Sequence, residues 1–111
     1  IDPVAVEVLR ENLARNGVLG RASVRQGDVT RDLDAHEQFD LVLANIVARV
    51  LIEAAPRLVR AARCGGMLIV SGIVAQYEHD VRSRFQSLGT ELVDRKQDGD
   101  WVSVLLERKR P

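Results

Sequence analysis

Asn45 closes the run Phe39-Asp40-Leu41-Val42-Leu43-Ala44. A side-chain amide accepts as well as donates hydrogen bonds. At the mouth of such a run it can take an N–H from an amine and give one to a carbonyl or carboxylate, which suits a site that handles an amine substrate. Asn is also a good helix N-cap, and the stretch after Asn45, rich in Ala, Val and Leu, reads as helix. Both roles are open at this point. Two carboxylates sit at comparable places, Asp28 in Gly27-Asp28-Val29 and Asp2 in Ile1-Asp2-Pro3. The first reads as an acid in a turn, the second as a helix cap. His36 lies in a polar stretch and His79 among charges. Neither has Cys or Asp partners at metal-ligand spacing, so no metal is expected.

The elements that must position these residues come from one domain's length of chain, 111 residues. Hydrophobic residues make up 46% and charged residues 29%, with a formal net charge of zero. That composition is ordinary for a globular protein. It gives no global positive field to draw nucleic acid or an anionic membrane. The single cysteine, Cys64, permits no internal disulfide and favours a reducing compartment; it reads as a small buried residue beside Gly65-Gly66. No apolar run approaches the roughly 20 residues of a membrane span. A cytoplasmic location is expected, and the sequence is silent on oligomeric state. The chain opens at Ile1, with no Met and no leading strand, as expected of a portion cut from a longer chain.

Asp2-Pro3 opens a helix, because Asp caps well and Pro suits the first helical position. Ala5, Val8, Leu9 and Leu13 mark one face of it, and Asn16-Gly17 closes it. A short strand follows over Ala22–Gln26, then a polar loop to about Gln38. Phe39–Ala44 is a strand whose continuous apolar run predicts burial on both faces. A helix runs over Val47–Arg63, with Pro56 expected to split it or to start a second short helix, and Gly65-Gly66 to stop it. Met67–Ser71 is a further strand. Tyr77, Val81, Phe85 and Leu88 space a helix over Gln76–Leu88, with Tyr77 in the core. Thr90–Gln97 and Trp101–Glu107 are strands joined by a hairpin centred on Asp98-Gly99, read as a type I′ turn, with Trp101 in the core. Alternating strands and helices imply a parallel α/β sheet with helices on both faces, here closed by an antiparallel pair.

In this order the chain resembles a class I S-adenosylmethionine-dependent methyltransferase, a Rossmann-like family whose last two strands form an antiparallel hairpin. Ile1-Asp2-Pro3 looks like the tail of the acidic motif after strand two. Gln26-Gly27-Asp28-Val29 looks like the adenine-contacting turn, and Leu43-Ala44-Asn45-Ile46 like the substrate-side motif after strand four. Cys64-Gly65-Gly66-Met67-Leu68 looks like the glycine turn before strand five. Ile1-Asp2-Pro3 with Asn16-Gly17, Ala44-Asn45-Ile46 and Ser71-Gly72-Ile73 are together similar to the PrmA family, bacterial enzymes that methylate large-subunit ribosomal protein L-eleven.

The resemblance implies S-adenosyl-L-methionine as cofactor and an amine of a ribosomal protein as acceptor, with no direct nucleic-acid or membrane partner. It gives Asn45 substrate orientation, catalysis and cofactor contact, and gives Ile46 substrate contact. Asp28 would accept from the exocyclic amine of adenine, Val29 would pack on its face, and Asp2 would be a secondary ribose candidate. The family's sheet order, three-two-one-four-five-seven-six, makes the chain the C-terminal portion of one catalytic domain, residues 1–111. Its first two strands and its glycine-rich loop are absent from this sequence. The segment is therefore expected neither to fold independently nor to bind cofactor alone. A short-chain dehydrogenase also has Asp-Val and Asn at these places. Its catalysis needs a Lys four residues after a Tyr, and Val81 stands there after Tyr77. Methyltransferases acting on planar amino groups follow their Asn with Pro-Pro and an aromatic, whereas Ile46-Val47 follows Asn45. That points to a flexible aliphatic amine. A last reading, of a different class, is an inactive remnant.

Overall fold

A computed structural model describes residues 3–22, 27–31 and 38–110, which fall in two compact units, Ile1–Asp32 and Leu33–Pro111. In the first unit, helix α1 spans Pro3–Arg15. The N–H of Gly17 donates to the Ala14 carbonyl and that of Val18 to the Leu13 carbonyl, both at 3.0 Å. This crossed pair is a Schellman closure, and Gly17 supplies the left-handed residue it needs, with φ +71°. A 3₁₀ turn over Leu19–Arg21, unanticipated from sequence, follows. None of the side chains of α1 is buried. The cap expected at Asp2, most of the strand expected over Ala22–Gln26, and His36 lie outside the described residues.

The second unit is built from strand β1 (Phe39–Asn45), helix α2 (Ala48–Ala61), strand β2 (Ala62–Val74), a 3₁₀ turn (Ala75–Tyr77), helix α3 (Glu78–Ser87), strand β3 (Thr90–Asp98) and strand β4 (Trp101–Arg108). The sheet order is β1-β2-β4-β3. β1 and β2 are parallel, and β4 runs antiparallel to both of its neighbours. This is the four-five-seven-six half of the expected sheet, with the final strand inserted beside β2.

The core lies between one sheet face and the two helices. Leu51, Ala54, Ala55, Leu58 and Val59 of α2 are buried, as are Val81 and Phe85 of α3. They meet Leu68 and Val70 of β2 and Val102, Val104 and Leu106 of β4, all nearly inaccessible. Burying a side chain of this size contributes about 1.5–3 kcal/mol, so this layer is the main source of the unit's stability.

Several local expectations are corrected. β1 is not buried on both faces: Leu41 is 49% exposed and Leu43 69%. Side chains alternate along a strand, and the helices cover only the face that carries Val42 and Ala44, which are half-buried. Pro56 does not split α2, which runs through it. The missing amide and the ring clash cost about 3 kcal/mol or more, and the buried residues on either side of Pro56 offset that cost. Gly65-Gly66 does not stop the helix, which ends at Ala61; both glycines lie inside β2. They absorb a register irregularity, since Phe39 pairs with Ala62 but Leu41 with Met67. A Cβ on Gly66 would stand 2.9 Å from the Arg63 carbonyl oxygen and 3.1 Å from that of Phe39.

The hairpin turn is Gly99-Asp100, because Asp98 pairs with Trp101. Gly99 has φ +58° and no non-glycine residue has positive φ among the described residues. Positive φ at the first central position alone is the II′ pattern, not I′. Cys64 is half-buried rather than buried.

Candidate active site

The parallel register brings Asn45 opposite Ser71 at the carboxyl ends of β1 and β2, where open α/β sheets bind ligands. There β2 carries one extra residue against β4, since Val70 pairs with Val104 but Ile73 with Val102. This bulge contains Gly72, with φ +81°, a backbone region disfavoured for residues with a Cβ. A Cβ at this position would lie 2.6 Å from Asn45 Oδ1 and 3.0 Å from the Ile46 carbonyl oxygen. The glycine thus lets the β2 backbone close against the Asn45 amide, and such bulges recur beside active sites.

The capping role for Asn45 is not observed. The N-cap of α2 is Val47, two residues on, with no side-chain cap bond. The Asn45 side chain is exposed and makes no hydrogen bond to another described residue. Its oxygen and its NH₂ are both available to a ligand. Ile46, next in the chain, is half-buried.

Behind Gly72 opens a cavity of about 570 Å³. Val47, Ala48, Arg49 and Ile52 wall it from the start of α2, and Gly72 and Val74 from the end of β2. Tyr77 and Trp101 complete it. The two aromatics were expected in the core, yet they are 46% and 59% exposed. Their strands and turns end at this mouth, and the Ala75 N–H donates to the Asp100 carbonyl at 2.7 Å, fastening the hairpin turn there. Sequence reasoning missed the cavity because it joins four separate elements. A large aromatic directly after a hairpin turn was the one available signal.

In the first unit, Asp28 Oδ1 accepts from the Thr30 N–H at 2.9 Å and from its hydroxyl at 2.6 Å. Arg31 Nε stands 3.6 Å from Oδ2. The Thr30 bonds foremost, and Arg31 after them, hold the Asp28 carboxyl below its ordinary pKa. Asp28 thus shapes its own turn, with Val29 half-buried beside it. Asp2 lies outside the described residues. His79 is exposed, and no group of metal-ligating side chains gathers among the described residues.

The family model described as ribosomal protein L11 methyltransferase (PrmA) matches residues 1–109. The chain belongs to the PrmA family. A PrmA relative named ribosomal protein L11 methyltransferase, from Desulforamulus reducens, is 39% identical over 105 residues, covering 95% of this chain and 33% of its own length. One of the same name from Pelobacter propionicus is 40% identical over 108 residues, covering 97% and 34%. The chain thus spans about a third of the curated PrmA relatives it matches. Among solved structures, a ribosomal protein L11 methylase from Lactobacillus delbrueckii subsp. bulgaricus superposes with a TM-score of 0.89 at 24% identity, over 99% of this chain and 55% of that one. An N-methyltransferase, NodS from Bradyrhizobium japonicum, gives 0.72 at 15% identity, over 98% and 70%. The PrmA chain therefore has the α/β fold of the class I methyltransferases. No helix among the described residues is long and apolar enough to cross a membrane.

Proposed function

We propose that the protein carrying this chain is an S-adenosylmethionine-dependent N-methyltransferase acting in the cytoplasm. Its acceptors are lysine side chains or an N-terminal amine of a large-subunit ribosomal protein. The observation that carries this reading is the Asn45 amide, exposed at the carboxyl end of β1, without a described partner, and approached closely by Gly72. Relatives named ribosomal protein L11 methyltransferase support the choice of acceptor.

When bound, S-adenosylmethionine supplies a methyl group whose bond to sulfur breaks, the electron pair staying on sulfur, as the amine lone pair forms the new C–N bond. Positioning and desolvation are then the protein's main tasks. Asn45 Oδ1 accepts an N–H of the incoming amine and so aims its lone pair. The Asn45 NH₂ donates to the cofactor's polar groups, and Ile46 borders the acceptor. Asp28 and Val29 are assigned to adenine and Asp2 to the ribose on the family resemblance. Asp28 Oδ1 already accepts from Thr30 and Oδ2 stands beside Arg31, so an adenine contact would be made alongside these interactions.

The test is methylation of purified ribosomal protein L11 with methyl-labelled cofactor, using the protein as its gene encodes it. Asn45→Ala is expected to lower kcat by about 10²-fold or more, as loss of an oriented polar group at a reacting centre does. The unfolding midpoint should stay within about 0.5 kcal/mol, as for an exposed surface change. Equal loss of fold and activity would sink the assignment. Calorimetric titration with the cofactor separates the remnant reading. Binding is expected by the protein as encoded and not by the 111-residue chain alone.

A further inference from the structure

We infer that the cavity behind Gly72 receives the aliphatic stem of the acceptor lysine, and that Arg49 at its wall helps the arriving amine to give up its proton. This rests on the methyltransferase reading and specifies what its acceptor side must do. A lysine ammonium has an ordinary pKa of about 10.4, and only the neutral amine has a lone pair to give. Two environments lower a lysine pKa: an apolar surround and a second cation close by. The cavity offers both.

Its walls are Val47, Ala48, Ile52 and Val74 with the faces of Tyr77 and Trp101, and the charged side chain among its lining residues is Arg49. At about 570 Å³ it lies within the range of small-ligand pockets, with room for a four-carbon stem and adjoining peptide. It shares Gly72 with Asn45, so an amine threaded past the cavity arrives beside the amide that would orient it.

The charges around Arg49 do not cancel it. On its own helix Glu53 lies one turn on, and Asp100 flanks Trp101 in the hairpin turn. Neither forms an ion pair with Arg49, which has no described hydrogen-bond partner. Tyr77 is the other titratable group on the walls. The guanidinium thus acts on the acceptor nitrogen as a like charge. It is a positioning and tuning residue, not a catalytic one.

The experiment is the pH dependence of kcat with ribosomal protein L11 as acceptor, using the protein as its gene encodes it. Arg49→Met removes the charge at similar length. The midpoint of the rising limb is expected to move up by about one pH unit, with a tenfold lower rate near pH 7 and convergence at high pH. Arg49→Lys should retain the wild-type profile. A rate that falls equally at every pH, or an unmoved midpoint, overturns the inference while leaving the methyltransferase reading intact. No transfer by the wild-type protein at any pH overturns both. Trp101→Ala tests the occupant: KM for the ribosomal protein should rise about tenfold or more, as when a buried aromatic contact is truncated, with the unfolding midpoint held. An unchanged KM with a destabilised protein would mean that the protein's own chain fills the cavity, and the inference fails.

Discussion

Gly72 and Asn45 show what a single residue contributes at this site. Gly72→Ala should do two kinds of damage. A left-handed backbone costs a residue with a Cβ about 1–2 kcal/mol, and the new methyl would push on Asn45 Oδ1 and the Ile46 carbonyl. The expected loss is about 1–3 kcal/mol in urea unfolding, with transfer activity falling further than stability because the amide is displaced. A variant of wild-type stability and activity would show that the close approach is dispensable. At this scale the sequence was informative about Asn45, whose place at a strand end follows from the apolar run before it. It was silent on Gly72 as a neighbour of Asn45, because the two meet only through the parallel register of β1 and β2. Tyr77 and Trp101 were misplaced for a related reason. Hydrophobicity marks a residue for burial, but it does not separate a core position from the wall of an open cavity.

Among the elements, α2 carries the largest departure from propensity. Pro56 sits inside it and has no N–H for the Ile52 carbonyl, while Leu51, Ala54, Ala55, Leu58 and Val59 are buried around it. Pro56→Ala should therefore stabilise the protein by about 1–2 kcal/mol: the helix recovers up to about 3 kcal/mol, less up to about 1 from a more flexible unfolded chain. A higher urea midpoint checks this; a lower one would show that the ring's packing outweighs the missing bond. The link between α3 and β3 is polar. Glu78 accepts from Arg95 Nε at 2.6 Å and Nη2 at 2.7 Å, and from Arg82 at 3.2 Å. The Arg95 bonds foremost hold the Glu78 carboxyl below its ordinary value of 4.5. A depressed carboxyl contributes stability that is complete above its unfolded pKa and is lost as pH falls through the folded one. The stability gap between wild type and Glu78→Gln should therefore be constant near neutrality and narrow below about pH 4.5. A gap independent of pH would show that the pair contributes nothing. Turn chemistry was partly legible: Gly99 did mark the hairpin, but the strand pairing moved the turn one residue along.

At the scale of the whole second unit, the sheet carries α2 and α3 on one face, while Leu41 and Leu43 of β1 are exposed. Exposed apolar strands are association hazards. The 111-residue chain alone should self-associate in sedimentation at micromolar concentration. A double change, Leu41→Lys with Leu43→Lys, should shift it towards monomer; a wild-type chain that stays monomeric would refute this. The architecture was legible at this scale, because alternating periodicities followed by two strands without a helix between them constrain topology strongly. Burial was less legible, since a continuous apolar run states what a strand can tolerate, not what covers it.

The place of β4 has a consequence in time. Of the four strands it is the last to leave the ribosome, yet it sits between β2 and β3. Until it emerges, β2 can pair only with β1, and β3 has no neighbour in the sheet at all. Arg108, at its end, also donates to the Ala62 carbonyl at 2.6 Å, where α2 passes into β2. The order of synthesis and the order of the sheet are thus at odds. A chain arrested before Trp101 would hold β3 as a loose ribbon, exposed to proteases until the final strand slides in and locks both neighbours at once.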